Sequence, residues 1–203
     1  MTDRSKRTLL LIGFFAALTW SAVKPHDYFT WFLEVLPAVM GLILLVATYP
    51  KFRFTELAYF LMFLHSIILI IGSHYTYAEV PLFNWIRDTF SFHRNSYDGV
   101  GHFAQGFFPA IITREILLRT SPLQRGKWLS FIALSICLAL SAFYELIEWW
   151  VSLATGSVGE AFLGTQGDVW DTQKDMALCF LGSMISLLTL SNPHDRALSR
   201  LQL

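Results

Sequence analysis

The chain has 203 residues, of which 54% are hydrophobic, 16% aromatic and only 15% charged, and its mean hydropathy is +0.48. A soluble domain of this length does not carry so much apolar surface, so the composition predicts a multi-pass membrane protein. The formal net charge is zero, and no basic run is interleaved with aromatic residues, which argues against nucleic acid as a partner. The lipid bilayer is the expected partner, and no protein partner is indicated.

Six apolar segments, separated by short polar joints, follow one another along the chain. Each approaches the length of about 20 residues that a helix needs to cross a bilayer. The segments are Thr8 to Val23, Tyr28 to Thr48, Glu56 to Tyr77, Asp98 to Leu118, Trp128 to Leu153 and Asp171 to Leu190. Since no repeat or linker divides them, residues 1–203 are predicted to form one all-α domain, a polytopic bundle of about six transmembrane helices.

The first segment is short for a span, so a cleaved signal peptide is the competing interpretation. Arg4, Lys6 and Arg7 precede the apolar stretch, as they would in a signal peptide. No small-x-small cleavage site follows before Lys24, which favours a retained helix whose Arg7 snorkels to the membrane surface.

The basic residues predict the orientation of the bundle. With six spans, most of the 15 lysines and arginines fall on the side of the two termini. The other side carries Lys24, Arg87, Arg94 and Lys174. By the positive-inside rule both termini are cytoplasmic, and the Pro81 to Tyr97 joint is external.

Polar side chains form three stripes, each on one face of a helix. Residues spaced at i, i+3 or i+4, and i+7 share a helix face. The stripes are Asp98, His102 and Gln105; Ser141, Glu145 and Glu148; and Asp168, Asp171 and Asp175. Because a carboxylate is costly in lipid, such residues face a protein interior or a watery cavity and mark a site.

The helix rise places the stripes at a common depth. At about 1.5 Å per residue, Glu145 lies about 25 Å from an inner start at Trp128, and His102 lies about 6 Å below an outer start at Asp98. His74, near the outer end of its helix, reaches the same layer. Side chains of four helices are therefore predicted to meet in one outward-facing polar site.

Helix capping offers a purely structural explanation for some of these residues. An aspartate at a helix start can accept hydrogen bonds from free backbone N–H groups, and this explanation stays open for Asp98, Asp168 and Asp171. It fails for Glu145 and Glu148, which lie near the negative end of the helix dipole. Their charge calls for protonation or for a positive partner. The candidate partners are a metal ion, a charged substrate, Arg94 and Lys174.

The available donors predict which metals would suit the site. The donors at this depth are carboxylates and imidazoles, because Cys137 and Cys179 are predicted to lie mid-membrane and their thiolates cannot reach the site. Such donors favour Zn²⁺, Mn²⁺, Mg²⁺ or Ca²⁺ over a soft metal. The candidate metal ligands are Asp98, His102, Glu145, Asp171 and Asp175. The candidate catalytic residues are Asp98, His102, Glu145 and Glu148. The other polar residues assigned to the site are His74, Arg94, Gln105 and Asp168.

Three functional hypotheses from different classes fit these residues. The first is a metal-dependent hydrolase or transferase that acts on a lipid or envelope metabolite. The second is a transporter-like protein, although the inner half offers few ionisable groups besides His65, Arg114 and Glu115, which counts against a through-path. The third is a non-catalytic membrane binding or scaffold protein.

Three motifs resemble the YjdF family of bacterial inner-membrane proteins. They are RNSYDGVGHFAQGFFPA from Arg94 to Ala110, Glu145 with Glu148 and Trp149, and FLGTQGDVWDTQKDM from Phe162 to Met176. The resemblance implies a multi-pass bacterial inner-membrane protein whose domain has no assigned biochemical function. Two positions depart from the family pattern, since a basic residue is expected at Gly99 and an aromatic one at Lys174. A fainter likeness to VanZ-like membrane proteins concerns architecture only.

Overall fold

Helices form the regular secondary structure of the residues that the computed structural model describes, which are 2–156, 162 and 164–201. The elements are α1 (Asp3–Ser21), α2 (Tyr28–Thr48), α3 (Glu56–Tyr75), a 3₁₀ turn (Tyr77–Glu79), α4 (Pro81–Phe90), α5 (Tyr97–Thr120), α6 (Lys127–Thr155) and α7 (Asp171–Ser199). The all-helical class predicted from the sequence is confirmed. Leu163, in the third motif, lies outside the described residues.

The six predicted segments coincide with the long helices. Four of these, α2, α3, α6 and α7, are long and apolar enough to cross a membrane. Helices α1 and α5 do not reach the same hydropathy over a span's length, and their crossing stays a prediction. Helix α7 is longer than the last predicted apolar segment, because it continues nine residues beyond Leu190, through Pro193. The apolar stretch of α7 ends at Leu190. The helix continues because His194 contacts Glu115 of α5 and Asp195 accepts a hydrogen bond from Arg114 of α5.

The joint predicted between Pro81 and Tyr97 contains a helix of its own. Pro81 occupies the first turn of α4, where its missing N–H would have no partner in any case. Leu82, Trp85 and Phe90 are all exposed. An exposed apolar face on a short helix beside the spans is typical of a helix that lies in the membrane interface.

Three helix starts are set by side chains that cap the backbone. Thr2, Asp27 and Thr55 accept hydrogen bonds from the backbone N–H groups of the residues three positions later. The Asp27 carboxylate is outside the spans, and its hydrogen bond from the Thr30 N–H lowers the pKa of Asp27. Such caps satisfy backbone donors that otherwise have no partner.

Helix α5 is central, since it packs against α3, α6 and α7. Its contact with α7 is the closest, and two glycines permit it. A Cβ atom at Gly106 would lie 1.8 Å from the backbone oxygen of Cys179, and one at Gly182 would lie 2.2 Å from that of Phe103. The backbones therefore touch without intervening side chains, as in membrane helix pairs built on small residues. Cys137 and Cys179 are fully buried core residues, as predicted.

A buried ionic network joins α3, α5 and α7 near the C-terminal ends of α5 and α7. His194 Nε2 lies 3.0 Å from Glu115 Oε2, and both residues are fully buried. Thr55 donates to the same carboxylate from its backbone N–H and its hydroxyl, and Arg114 lies 2.7 Å from His194 Nδ1. The prediction that ended the last span at Leu190 missed His194, and so it underestimated the ionisable groups in this half.

Candidate functional site

The first turns of α5 place Asp98, His102 and Gln105 on one buried face, as their spacing predicts. His102 is only 5% exposed. Its Nε2 lies 3.5 Å from Asp98 Oδ1, and its Nδ1 lies 3.2 Å from Gln105 Oε1. The imidazole is thus held between a carboxylate and an amide, an arrangement that fixes the ring and its tautomer.

Helix α7 brings a second carboxylate to this imidazole. Because α5 and α7 touch through Gly106 and Gly182, Asp175 approaches Asp98 and His102. One donor atom from each of these three residues lies within 4.8 Å of the other two. The structure therefore joins two of the predicted stripes into one cluster, and it includes three of the predicted metal ligands.

Helix α6 supplies two buried glutamates at the same level. Glu145 Oε1 lies 3.6 Å from His102 Nδ1, too far for a hydrogen bond, and this oxygen is buried without a hydrogen-bond partner. Glu148 makes no hydrogen bond or ion pair with any residue in the described part of the chain, although it is only 7% exposed. Its charge acts electrostatically on Asp98 and His102. Both glutamates thus face the cluster while lacking a strong partner.

Arg94 compensates the aspartates of the cluster. It forms an ion pair with Asp171, and its guanidinium lies 3.4 Å from Asp98 and 3.5 Å from Asp168. Lys174 forms a second, exposed ion pair with Asp168, and this hydrogen bond holds the pKa of Asp168 below its usual value. Arg94 and Lys174, which the sequence offered as positive partners of Glu145 and Glu148, therefore form their ion pairs with aspartates instead.

Side-chain capping accounts for little of this arrangement. Helix α5 begins after Ser96 and α7 after Trp170, and neither of these two residues caps its helix with its side chain. At the start of α5 it is Asn95, not Asp98, whose side chain accepts the Tyr97 N–H. Asp168 alone acts locally, since its Oδ1 accepts the Trp170 N–H at 3.0 Å. The capping explanation that the sequence left open for Asp98 and Asp171 is therefore not supported.

Residues 164–170, which precede α7, are hydrogen-bonded to the segment just before α5. The Gln166 side chain accepts from the Asn95 N–H at 2.9 Å and donates to the Asn95 carbonyl at 3.0 Å. Gly164 has a φ of +65° and passes close to Asp98, because a Cβ atom there would lie 3.8 Å from Asp98 Oδ2. The glycine-containing motif thus brings this part of the loop against the cluster.

His74 does not join the cluster and instead contacts α1. Its Nδ1 lies 3.0 Å from the Ser21 carbonyl oxygen, and its ring lies 4.3 Å from that of Trp20. Depth along α3 had predicted that His74 would join this layer. Depth does not determine the direction of a side chain around the helix axis, and here it points toward α1.

Glu34 is a buried carboxylate that the sequence interpretation did not assign to the site. It is 3% exposed, its Oε2 has no hydrogen-bond partner, and its charge repels that of Asp98. The sequence did contain a sign of its importance, because Glu34 lies about one-third of the way into a predicted span, too deep to cap the helix. The Tyr144 ring lies beside the cluster, with its centre 6.5 Å from that of the His102 ring.

The helices and this cluster define a polytopic membrane protein with a buried acidic and histidine site shared by α5, α6 and α7. The chain belongs to the family described as "Predicted membrane protein (DUF2238)", whose model matches residues 6–196. It is 44% identical over 198 residues to "Inner membrane protein YjdF" of Escherichia coli (strain K12), which covers 98% of this chain and 92% of that protein. No solved structure matches the chain. The resemblance noted in the sequence is confirmed, and the chain is a multi-pass inner-membrane protein.

Proposed function

We propose that the cluster binds a divalent metal ion through Asp98, His102 and Asp175. The observation that carries this proposal is the mutual approach of their donor atoms to within 4.8 Å. Ligands of one ion bound at about 2.0 to 2.2 Å lie about 3 to 4 Å apart, so small side-chain rotations complete the site. Glu145 supports the same conclusion, because its unpartnered oxygen is available as a further ligand or as a base.

The donor set favours Zn²⁺ or Mn²⁺ over Mg²⁺ or Ca²⁺. An imidazole nitrogen is a poor ligand for the hard ions, which prefer oxygen. The Nδ1 atom of His102 is directed toward Gln105 and Glu145, and its Nε2 atom is directed toward Asp98. Nε2 is therefore the nitrogen that would bind the metal. The Gln105 contact fixes this orientation in the manner of outer-shell partners at metal sites.

Such a site supports hydrolase or transferase chemistry on a lipid or envelope metabolite. A bound divalent ion lowers the pKa of water and polarises a phosphoryl or acyl oxygen. Arg94 stands beside the ligands and can bind an anionic group of the substrate. Glu145, next to His102, is placed to accept the proton of an attacking water.

Metal analysis of the purified protein tests this proposal. After chelator-free purification we expect about one equivalent of Zn or Mn per chain. We expect His102→Ala and Asp175→Asn to lose the metal, with helical content by circular dichroism unchanged. His74→Ala is the matched control, since it removes an imidazole from the same end of the bundle without touching the cluster, and it should keep the metal.

Two results would overturn the metal assignment. The first is wild-type protein that stays metal-free after equilibrium dialysis against Zn²⁺ and Mn²⁺. The second is metal that His102→Ala and His74→Ala retain equally. In that case Asp175→Asn should lower stability, and any cellular phenotype should follow protein abundance, as expected of a polar lock between helices.

Ion transport is the second candidate function, and the buried network around Glu115 and His194 favours it. Together with the outer cluster, this network places ionisable groups near both ends of α5. Between them, His65 carries a buried Nε2 without a hydrogen-bond partner. Cation or proton flux in proteoliposomes that is lost in Glu148→Gln would favour transport over catalysis.

A further inference from the structure

A second polar region lies at the opposite end of the bundle from the acidic cluster. Residues from the N-terminal ends of α1 and α3, the α2–α3 joint and the C-terminal ends of α5 and α7 enclose a cavity of about 840 Å³. Its acidic lining residues are Asp3 and Glu56. Its basic lining residues are Lys6, Arg7, Lys51, Arg53, Arg119 and Arg200.

Three of these cations have carboxylate partners, and three do not. Ion pairs join Lys6 to Asp3, Arg7 to Glu56 and Arg119 to Glu115. Within residues 2–156, 162 and 164–201, no carboxylate forms an ion pair with Lys51, Arg53 or Arg200. The pocket therefore carries an excess of positive charge that suits an anion.

Aromatic residues contact three of the four arginines of this basic pocket. The Arg7 guanidinium donates to the Tyr49 hydroxyl at 2.8 Å, and the Arg53 guanidinium lies 5.3 Å from the centre of the same ring. The Arg119 guanidinium lies 3.9 Å from the centre of the Phe52 ring and donates to the Arg53 carbonyl at 2.6 Å. Guanidinium groups positioned in this way bind phosphate with little loss of side-chain freedom.

We propose that this pocket binds the phosphate of an anionic phospholipid headgroup from the adjacent leaflet. Helix ends lie at the depth of the headgroups, and basic pockets between membrane helices recognise such groups. The apolar side chains of Phe54 and Leu57 line the same cavity. Leu9 on α1 and Val46 on α2 are exposed close by, so the acyl chains have apolar helix faces to lie against. A free phosphate would leave these faces unused.

Binding of short-chain lipids to the delipidated full-length protein tests the proposal. The probes are dioctanoyl phosphatidylglycerol, dioctanoyl phosphatidylcholine and inorganic phosphate, each titrated at constant ionic strength in a neutral detergent. We expect phosphatidylglycerol to bind and to raise the melting temperature, and the other two to have little effect. Since each basic residue contributes roughly fivefold to binding of an anionic lipid surface, Lys51→Gln/Arg53→Gln should weaken phosphatidylglycerol binding about 25-fold.

The double variant Lys24→Gln/Lys127→Gln is the matched control. It removes the same charge from two exposed positions that do not line the pocket, so it should leave binding unchanged. Equal weakening in both double variants, or equal binding of the two lipids, would overturn a specific headgroup site. Inorganic phosphate that protects as well as phosphatidylglycerol would overturn the assignment to a lipid. None of these results depends on the metal cluster.

Discussion

Arg94 neutralises more of the acidic cluster than any other described side chain, since it contacts Asp98, Asp168 and Asp171. The alternative cation, Lys174, reaches Asp168 alone and is 59% exposed. An exposed ion pair contributes little to stability because water screens it. The loss of a cation from a buried pair is costly, because the remaining charge has no compensation.

We therefore expect Arg94→Gln to lower the free energy of unfolding by about 3 kcal/mol and Lys174→Gln by less than about 1 kcal/mol. Unfolding of the purified protein in mixed micelles would measure both values. Adding Asp171→Asn to Arg94→Gln should restore part of the loss, because it removes the charge left behind. Equal effects of the two single variants would show that Arg94 is not the main compensating cation.

Spacing along a single helix predicted part of the cluster, and its limits are physical. The i, i+4 relation between Asp98 and His102 follows from the helix period, so their shared face was predictable. The rotation of a neighbouring helix is set by packing between helices. The direction of His74 toward α1 was therefore not predictable from α3 alone. Glu34 was missed because it is the one charged residue within α2.

At the scale of elements, the contact between α5 and α7 positions the metal-ligand candidates. A methyl group at Gly106 has no space, because it would lie 1.8 Å from the Cys179 carbonyl oxygen. Gly41 on α2 has no neighbour within 4 Å of such a group, so it serves as the matched position.

We expect Gly106→Ala to destabilise the protein by about 1 to 3 kcal/mol, as overpacking does, and to reduce metal binding by separating Asp175 from His102. Gly41→Ala should raise stability by about 0.5 to 1 kcal/mol, because alanine loses less conformational freedom in a helix. Thermal unfolding and metal content of the two variants would test both expectations. Similar stability losses at the two glycines would contradict a special role for the α5–α7 contact.

The helix α4 shows why the elements themselves were only partly predictable. Hydropathy detects segments that cross the bilayer, and most of the predicted spans match long helices within a few residues. Helix α4 has only ten residues, and it mixes apolar residues such as Trp85 with charged ones such as Arg87. Such a pattern also fits a polar joint, and the Pro81 to Tyr97 segment was predicted only as an external joint, with no helix assigned to it.

At the scale of the whole molecule, the number of crossings follows from which helix ends meet. Helices α1 and α5 fall outside the set that is apolar enough by composition. If neither crossed, the α2–α3 joint and the α5–α6 joint would lie on opposite sides of the membrane. The structure instead joins them, because Arg119 donates to the Arg53 carbonyl and Glu115 accepts from the Thr55 N–H. This contact supports a crossing by α5, with Arg114 and Glu115 buried against other helices and away from lipid. Helix α1 runs beside α3 from end to end, since Arg7 pairs with Glu56 and His74 contacts the Ser21 carbonyl. This pairing supports a crossing by α1 as well, and so six crossings in all.

Labelling of single introduced cysteines in intact cells tests this topology. The native thiols of Cys137 and Cys179 are fully buried, so they give little background with a membrane-impermeant maleimide. We expect Lys24→Cys and His93→Cys to react from outside. Lys51→Cys and Gln124→Cys should react only after permeabilisation, because six crossings and the positive-inside rule place both joints in the cytoplasm. If the cysteines at positions 51 and 124 reacted from opposite sides, six crossings would be wrong, and the contact between their joints could not exist.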